Sequence, residues 1–334
     1  PTDNLVSVSI FVHCPCATQY STFERLGKKG QPNRTGFVRG GRASFVVYYL
    51  QICPLEVSMV AGFDPNFDDT QWTDDWAVMP TAEVPPGIYE DGYRIERLVL
   101  EGAEVFGRPY QLAAPLDCRL LYDPQGRLWM STTPQERIMM YNNGRRSRGH
   151  VLVGGLGLGL YPQYAVRGAA GKATRFTAIE QSPAVRAMVE PTLQSALPVP
   201  IEVHTDSVEP LLYGPVSERY DTIFLDTWET LDAALLPRIN DLRNQALRHL
   251  APGGEVLLWG YGWMLGLFED ACRLLLAQAP GQRRSWLVQH SGGAATTTVL
   301  LAPVLAHFEG EVIEEFGPAL AWCRHYATAA SGMR

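Results

Sequence analysis

The chain has 334 residues, 46% hydrophobic and 19% charged, with a formal net charge of −7. That length accommodates two domains. The acidic balance argues against a duplex nucleic-acid binder, whose phosphate contacts need a basic face. Apolar runs fall short of the roughly 18–20 residues that span a bilayer, and no N-terminal basic-then-apolar stretch stands out. The expectation is a cytoplasmic protein with no nucleic-acid or membrane partner. Arg145, Arg146 and Arg148, the densest basic patch, read as a solvated turn. The six cysteines are scattered, and Cys14-Pro15-Cys16 beside His13 lacks the second ligand pair of a zinc site. Reduced thiols and no metal are expected.

Residues 1–131 read as a β-rich domain. Val6–Val12, Ser44–Leu50 and Leu55–Val60 are rich in β-branched and aromatic residues. Ile88–Leu100 is similar, interrupted at Asp91-Gly92. Gly27–Gly41 is basic and glycine-rich and reads as a loop. Asp68–Pro80 interleaves Asp68, Asp69, Asp74 and Asp75 with Trp72 and Trp76. That mixture suits a loop whose indoles pack on the domain below, or one that holds a cation. Arg119–Tyr122 and Leu128–Ser131 flank a hairpin turn, Asp123-Pro124-Gln125-Gly126. Residues 132–150 form a connection. Within it Thr132–Asn143 reads as a helix with Thr132 or Thr133 as N-cap, Pro134 in the first turn, and Gln135 or Glu136 near the capping-box position.

The pattern over residues 151–304 changes to alternating strands and helices, the signature of a parallel sheet covered on both faces. Val151–Val153 form a buried strand that runs into a turn with Gly154, Gly155, Gly157 and Gly159. Further strands are predicted at Arg175–Ile179, Ile201–His204, Thr222–Leu225 and Glu255–Trp259. Helices are predicted at Tyr161–Ala170, Pro183–Ala196, Leu231–Leu250 and Trp263–Gln278. Ser285–Gln289 and Thr296–Leu301 read as a closing antiparallel pair, making seven strands. Residues 305–334 form a tail of ambiguous structure.

Glu180, Asp206 and Asp226 each fall just past a strand end. In open α/β sheets that edge binds ligands. Glu180 follows the glycine turn by about 25 residues, where a carboxylate can accept hydrogen bonds from a ribose diol. A nucleoside site is the expectation.

With those residues in view, 135–304 resembles the class I S-adenosylmethionine-dependent methyltransferase superfamily, and within it the spermidine-synthase-like branch. The resemblance implies a Rossmann-like α/β fold with a mostly parallel seven-stranded sheet and S-adenosyl-L-methionine as cofactor. It implies that the turn bearing Gly155, Gly157 and Gly159 lies under the methionine portion. Glu180, followed by Gln181, matches the ribose-binding acid, and Asp206 with Ser207 matches the adenine-binding position. Asp226 matches the acid that faces the reacting centre. Gln135-Glu136 resembles the Gln-Glu pair by which the polyamine enzymes touch cofactor, and Gln135 is the residue carried over from it. Many methyltransferases carry an acid at the position of Val153, and the polyamine enzymes carry an aspartate at that of Leu158. Neither acid is present, so the methionine ammonium needs another partner.

A sulfonium is already activated, so such an enzyme holds a nucleophile in line and excludes water. Attack on the methyl carbon is methyl transfer to a small-molecule acceptor, the leading expectation. Attack on Cγ moves an aminopropyl or aminocarboxypropyl group, or closes azetidine-2-carboxylate, and releases methylthioadenosine. Asp226 can accept a proton, Glu229 stands one helical turn on, and Trp228 and Tyr141 can face a cation. A non-catalytic nucleoside-binding module is a further reading. NAD binding fits less well, because the third glycine of dinucleotide folds is missing. An edge strand of the β-rich part offers a route to a homodimer.

Overall fold

A five-stranded, all-parallel sheet carries the strand ends on which the functional reading depends. The structure, a computed structural model, describes residues 61–167, 172–290 and 295–331. The strands expected at Val6–Val12, Ser44–Leu50 and Leu55–Val60, the Gly27–Gly41 loop and the Cys14–Cys16 pair lie outside the described residues.

An antiparallel sheet of β1 (Gly87–Ile88), β2 (Arg94–Val105), β3 (Arg108–Tyr122) and β4 (Leu128–Ser131) comes first. The Asp91-Gly92 interruption is present, with both residues at positive φ, 59° and 82°. Strands β2 and β3 form a long hairpin. Its two turn residues, Phe106 and Gly107, have φ of 49° and 72°, the sense that matches the strand twist. In the β3–β4 turn, Asp123 Oδ1 accepts from the backbone N–H groups of Gln125 and Arg127 at 3.0 and 2.8 Å. That closure is the one expected of Asp-Pro-Gln-Gly.

Helix α1 (Pro134–Gly144) leads into β5 (Arg148–Gly154), α2 (Leu160–Arg167), β6 (Lys172–Glu180) and α3 (Pro183–Ala196). There follow β7 (Ile201–Thr205), α4 (Val208–Tyr213), β8 (Tyr220–Leu225), α5 (Leu236–Arg248), β9 (Leu250–Leu258) and α6 (Tyr261–Leu276). Strand order is β7-β6-β5-β8-β9, so the order reverses between β5 and β8. Both faces are covered, which explains the unbroken apolar runs. Leu152, Ile223, Leu225 and Leu258 join a core with α5 and α6. Val151, Val153, Phe224 and Leu257 join one with α1, α2 and α3. The Ser182 hydroxyl accepts from the Val185 N–H at 3.3 Å and caps α3.

Two expected strands are helices. Ser285–Gln289 lies in α7 (Arg283–His290) and Thr296–Leu301 in α8 (Ala295–His307). Among the described residues the parallel sheet therefore has five strands, not seven. Packing decided against the local strand propensity of these segments. Leu287, Leu300, Leu301 and Val304 fill the α6 side of the core. Arg283, only 1% exposed, donates to the carbonyls of Leu276, Gln278 and Phe308 and pins α7 between its neighbours. The tail forms α9 (Phe316–Ala329), packed on α5 and α6. No described helix is long and apolar enough to cross a membrane.

Candidate functional site

The crevice at the switch point between β5 and β8 is where an open α/β sheet receives a ligand. Its floor is the turn after β5. The Gly155 N–H donates to Ile179 O at 2.9 Å and the Asp226 N–H donates to Gly154 O at 2.8 Å. A Cβ on Gly155 would stand 2.0 Å from Asp226 O, and its φ is +88°, so this position excludes every other residue. Gly159 is also demanded by packing, since a Cβ there would press on Val189 and Leu193 of α3 at 3.0 Å. Gly157 differs. Its φ is +55° and nothing lies within 4 Å of where its Cβ would be, so its backbone borders open space.

Glu180 ends β6 and is 5% exposed. Its Oε2 accepts from the Leu156 N–H at 2.9 Å and its Oε1 from the Ser182 N–H at 2.8 Å. The carboxylate thus fixes the glycine turn and still has lone pairs free for two hydroxyls. Burial raises its pKa, opposed by the backbone N–H groups of Ser182, Leu156 and Gln181. Next along the rim, the Asp206 N–H donates to Glu180 O at 3.2 Å, and Asp206 Oδ1 accepts from the Ser207 N–H at 2.7 Å. Ser207 Oγ accepts from the Glu209 N–H and caps α4. Gln181 and Asp206 are exposed. The structure brings Gly157, Glu180, Asp206 and Asp226 to one edge.

Asp226 follows β8. Burial, and then the charge of Glu180, push its pKa up to about 8. Its carboxyl has no hydrogen-bond partner among the described side chains. Within reach of its charge is Glu136, which the sequence offered both as a capping-box candidate and as the second half of the Gln135-Glu136 pair. Glu136 lies in the first turn of α1, and its pKa is raised by burial, then by Asp226, and also by Asp69. The Trp259 indole N–H partly offsets this without closing a full hydrogen bond. Both acids are enclosed by protein yet keep part of their surface accessible, as side chains lining a cleft do. The capping box is not formed, because Thr133 makes no side-chain cap. Gln135 Oε1 instead accepts from the Phe106 N–H at 3.0 Å, tying the hairpin tip to α1. The available signal for Glu136 was its adjacency to Gln135.

Asp69 extends the acidic line. It is buried, its pKa is raised to about 7 by burial, and its Oδ2 accepts from the Gly260 N–H at 2.8 Å at the start of α6. Among the described residues no Lys or Arg forms an ion pair with Asp69, Glu136, Glu180 or Asp226. The line is rich in uncompensated acid.

Several aromatic side chains pack against one another on the elements around the sheet. Phe106 lies 5.3 Å from Trp263 and 5.8 Å from Trp72, and the Trp228 and Trp259 rings are 6.4 Å apart. Trp76 is 1% exposed and belongs to the core, and Asp74 accepts from the Tyr110 hydroxyl at 2.6 Å. The indoles of Asp68–Pro80 therefore pack on the structure below them. Tyr141 is likewise packing, edge-on to Tyr164 at 5.6 Å, and Glu229 is exposed. A surface groove lined by Pro80, Glu83, Arg167 and Ala196 lies where α2 and α3 end, away from the strand ends that carry these acids.

No family model matches the chain, and no curated protein matches it. Several solved structures align with part of the chain. An O-methyltransferase from Bacillus cereus in complex with SAH aligns at 21% identity and a TM-score of 0.24, over 34% of this chain and 49% of that one. The sugar N-methyltransferase KedS8 from Streptoalloteichus aligns at 19% identity and 0.23, over 37% and 44%. Human methyltransferase-like protein 13 in complex with SAH aligns at 20% identity and 0.27, over 42% and 68%. The chain covers less than half of each of the first two.

Proposed function

We propose that the protein is an S-adenosylmethionine-dependent methyltransferase acting on a small molecule. The observation that carries this reading is the acidic edge at the β5/β8 switch point, where Glu180 holds the glycine turn through the Leu156 and Ser182 N–H groups and Asp226 is fixed on Gly154 O, with no Lys or Arg ion-paired to either acid among the described residues. The residues suit the cofactor. Gly157 offers backbone beside open space, Glu180 retains acceptor capacity for a ribose diol, and Asp226 with Glu136 favours positive charge. When bound, the cofactor supplies a methyl group already activated on sulfur.

The chain's own residues then have separable tasks. Glu180 holds Leu156 and Ser182 and so sets the glycine turn. Asp226 stands at the reacting edge with a raised pKa, suited to take a proton from an acceptor hydroxyl or ammonium at its carboxylate oxygen. Phe106, Trp72 and Trp263 give an apolar wall that keeps water off the acceptor side. The antiparallel sheet before α1 and the Gln135-Glu136 pair support kinship with the spermidine-synthase-like branch.

The test is mass spectrometry of the nucleoside product after incubation with S-adenosylmethionine and a metabolite pool. S-adenosylhomocysteine is expected. Methylthioadenosine as sole product would reject methyl transfer in favour of Cγ chemistry. Titration calorimetry with S-adenosylhomocysteine should show Glu180→Ala weakening binding by about 1–3 kcal/mol, the scale of a lost charge-assisted hydrogen bond. Unchanged affinity would remove the ribose assignment.

A further inference from the structure

We propose that Asp69 is a proton-operated clasp: carrying a proton, it fastens the segment before the first sheet to α1 and α6, and on ionising it loosens that segment. Three elements meet at this side chain. Asp69 Oδ2 accepts from the Gly260 N–H at 2.8 Å, where α6 begins, and from Asn143 Nδ2 at 3.2 Å, in the last turn of α1. The neighbouring Asn142 donates through Nδ2 to the carbonyl of Asp69 at 2.9 Å and to that of Gln71. What the clasp holds in place includes Trp72, which lies 5.8 Å from Phe106 and 6.1 Å from Tyr110 on the β2–β3 hairpin.

Donors and acceptors inside the clasp do not balance. Asp69 is 1% exposed and Asn143 is fully buried, and the Oδ1 atom of each has no hydrogen-bond partner. Turning the Asn143 amide over does not help. Its Nδ2 also donates to Met139 O at 2.9 Å, so a flip would set an oxygen against two acceptors. The first turn of α6 closes over the unserved Asp69 oxygen, since a Cβ on Gly262 would stand 3.3 Å from it. No cation answers the carboxyl. Asp68 adjoins it on its own segment, Glu136 of α1 is acidic, and the Arg324 guanidinium of α9 acts on Asp68. Among the described residues no Lys or Arg is ion-paired with Asp69. A buried carboxylate with an orphaned oxygen and no counter-charge is costly. One proton removes both faults: it cancels the charge and makes a donor of Oδ1 beside the Asn143 amide. Burial accordingly raises the Asp69 pKa from the ordinary 3.8 to about 7. The closed clasp therefore holds a proton that the opened segment releases. Closure is firmest at low pH, weakens as pH rises between those values, and levels off above about 7.

The experiment is hydrogen–deuterium exchange of the full chain across pH, followed by mass spectrometry of peptides covering 61–80 and 258–264 and corrected for the intrinsic exchange rate. In wild type the corrected exchange of both peptides should rise about 10- to 100-fold between about pH 5 and 7.5 and then level off. Asp69→Asn keeps the shape and puts an amide donor where the protonated carboxyl stands. Its exchange should change by less than about 3-fold over the same range and stay below that of wild type at about pH 8. Asp69→Ala has neither donor nor acceptor, so it should exchange at about pH 5 as fast as wild type does above about pH 7. Thermal melts at about pH 5 establish that each variant is folded. A wild-type profile that stays flat would overturn the proposal whatever the variants do. So would the wild-type rise persisting in Asp69→Asn or Asp69→Ala, because another group would then be releasing the proton.

Discussion

Asp226 is held at the end of β8 by its own backbone, with its N–H on Gly154 O and its carbonyl against Gly155. Its side chain gains nothing comparable. The charge of Glu180 from β6 acts on it, and it in turn acts on Glu136 from α1. The folded-state pKa of about 8 lies above the ordinary 3.8, so the folded chain binds more protons than the unfolded chain between those values. Stability from this group is present at low pH and is lost as pH rises through about 8. Asp226→Asn cannot lose it. In melts of the ligand-free protein, the variant should match wild type near pH 4 and exceed it increasingly toward pH 9. The gain should be about 2–4 °C per kcal/mol. A difference that does not vary with pH would contradict the assignment. Asp226 was legible in the sequence because it follows a strand. Glu136 was legible only as part of the Gln135-Glu136 pair, because a glutamate in a helical first turn after Thr-Pro is equally the mark of a cap, and only the fold shows the cap unmade.

At the scale of elements, chemistry that repeats locally was readable and chemistry that depends on distant partners was not. The Pro183–Ala196 helix has the expected bounds because Ser182, Pro183 and its apolar spacing all act within a few residues. The five parallel strands were found within a few residues at each end, since burial on both faces leaves unbroken apolar runs. The β2–β3 hairpin was largely missed. Gly102, Pro109 and Pro115 punctuate it, and its register comes from the partner strand across the Phe106-Gly107 turn. The segment 283–307 was misassigned because its β-branched residues speak locally for strands, whereas the docking of α7 depends on Arg283 reaching carbonyls up to 25 residues away. Arg283→Met should therefore cost about 2–4 kcal/mol in urea unfolding, since it leaves buried carbonyls without donors. A loss below about 0.5 kcal/mol, the range of ordinary surface changes, would show that α7 is held by its apolar side alone.

Across the described molecule, α1 is the piece that links the two sheets. Gln135 fastens the tip of the antiparallel hairpin, and Glu136, one residue on, joins the acid line at the ends of the parallel strands. The hairpin tip thereby sets Phe106 against Trp263 and Trp72. The overall acidity of the chain is thus not spread evenly in its consequences. Asp69 and Glu180 are buried and Glu136 and Asp226 partly so, none of them ion-paired to Lys or Arg among the described residues, and like charges there interact far more strongly than on the surface. A sulfonium nucleoside, the ligand proposed for these strand ends, would bring the opposite charge. The most direct measurement is a crystal structure of the protein with S-adenosylhomocysteine. The nucleoside should lie across the C-terminal ends of β5, β6 and β8 with its ribose hydroxyls on Glu180 and its sulfur toward Asp226. A nucleoside bound elsewhere, with those strand ends bare, would contradict the account.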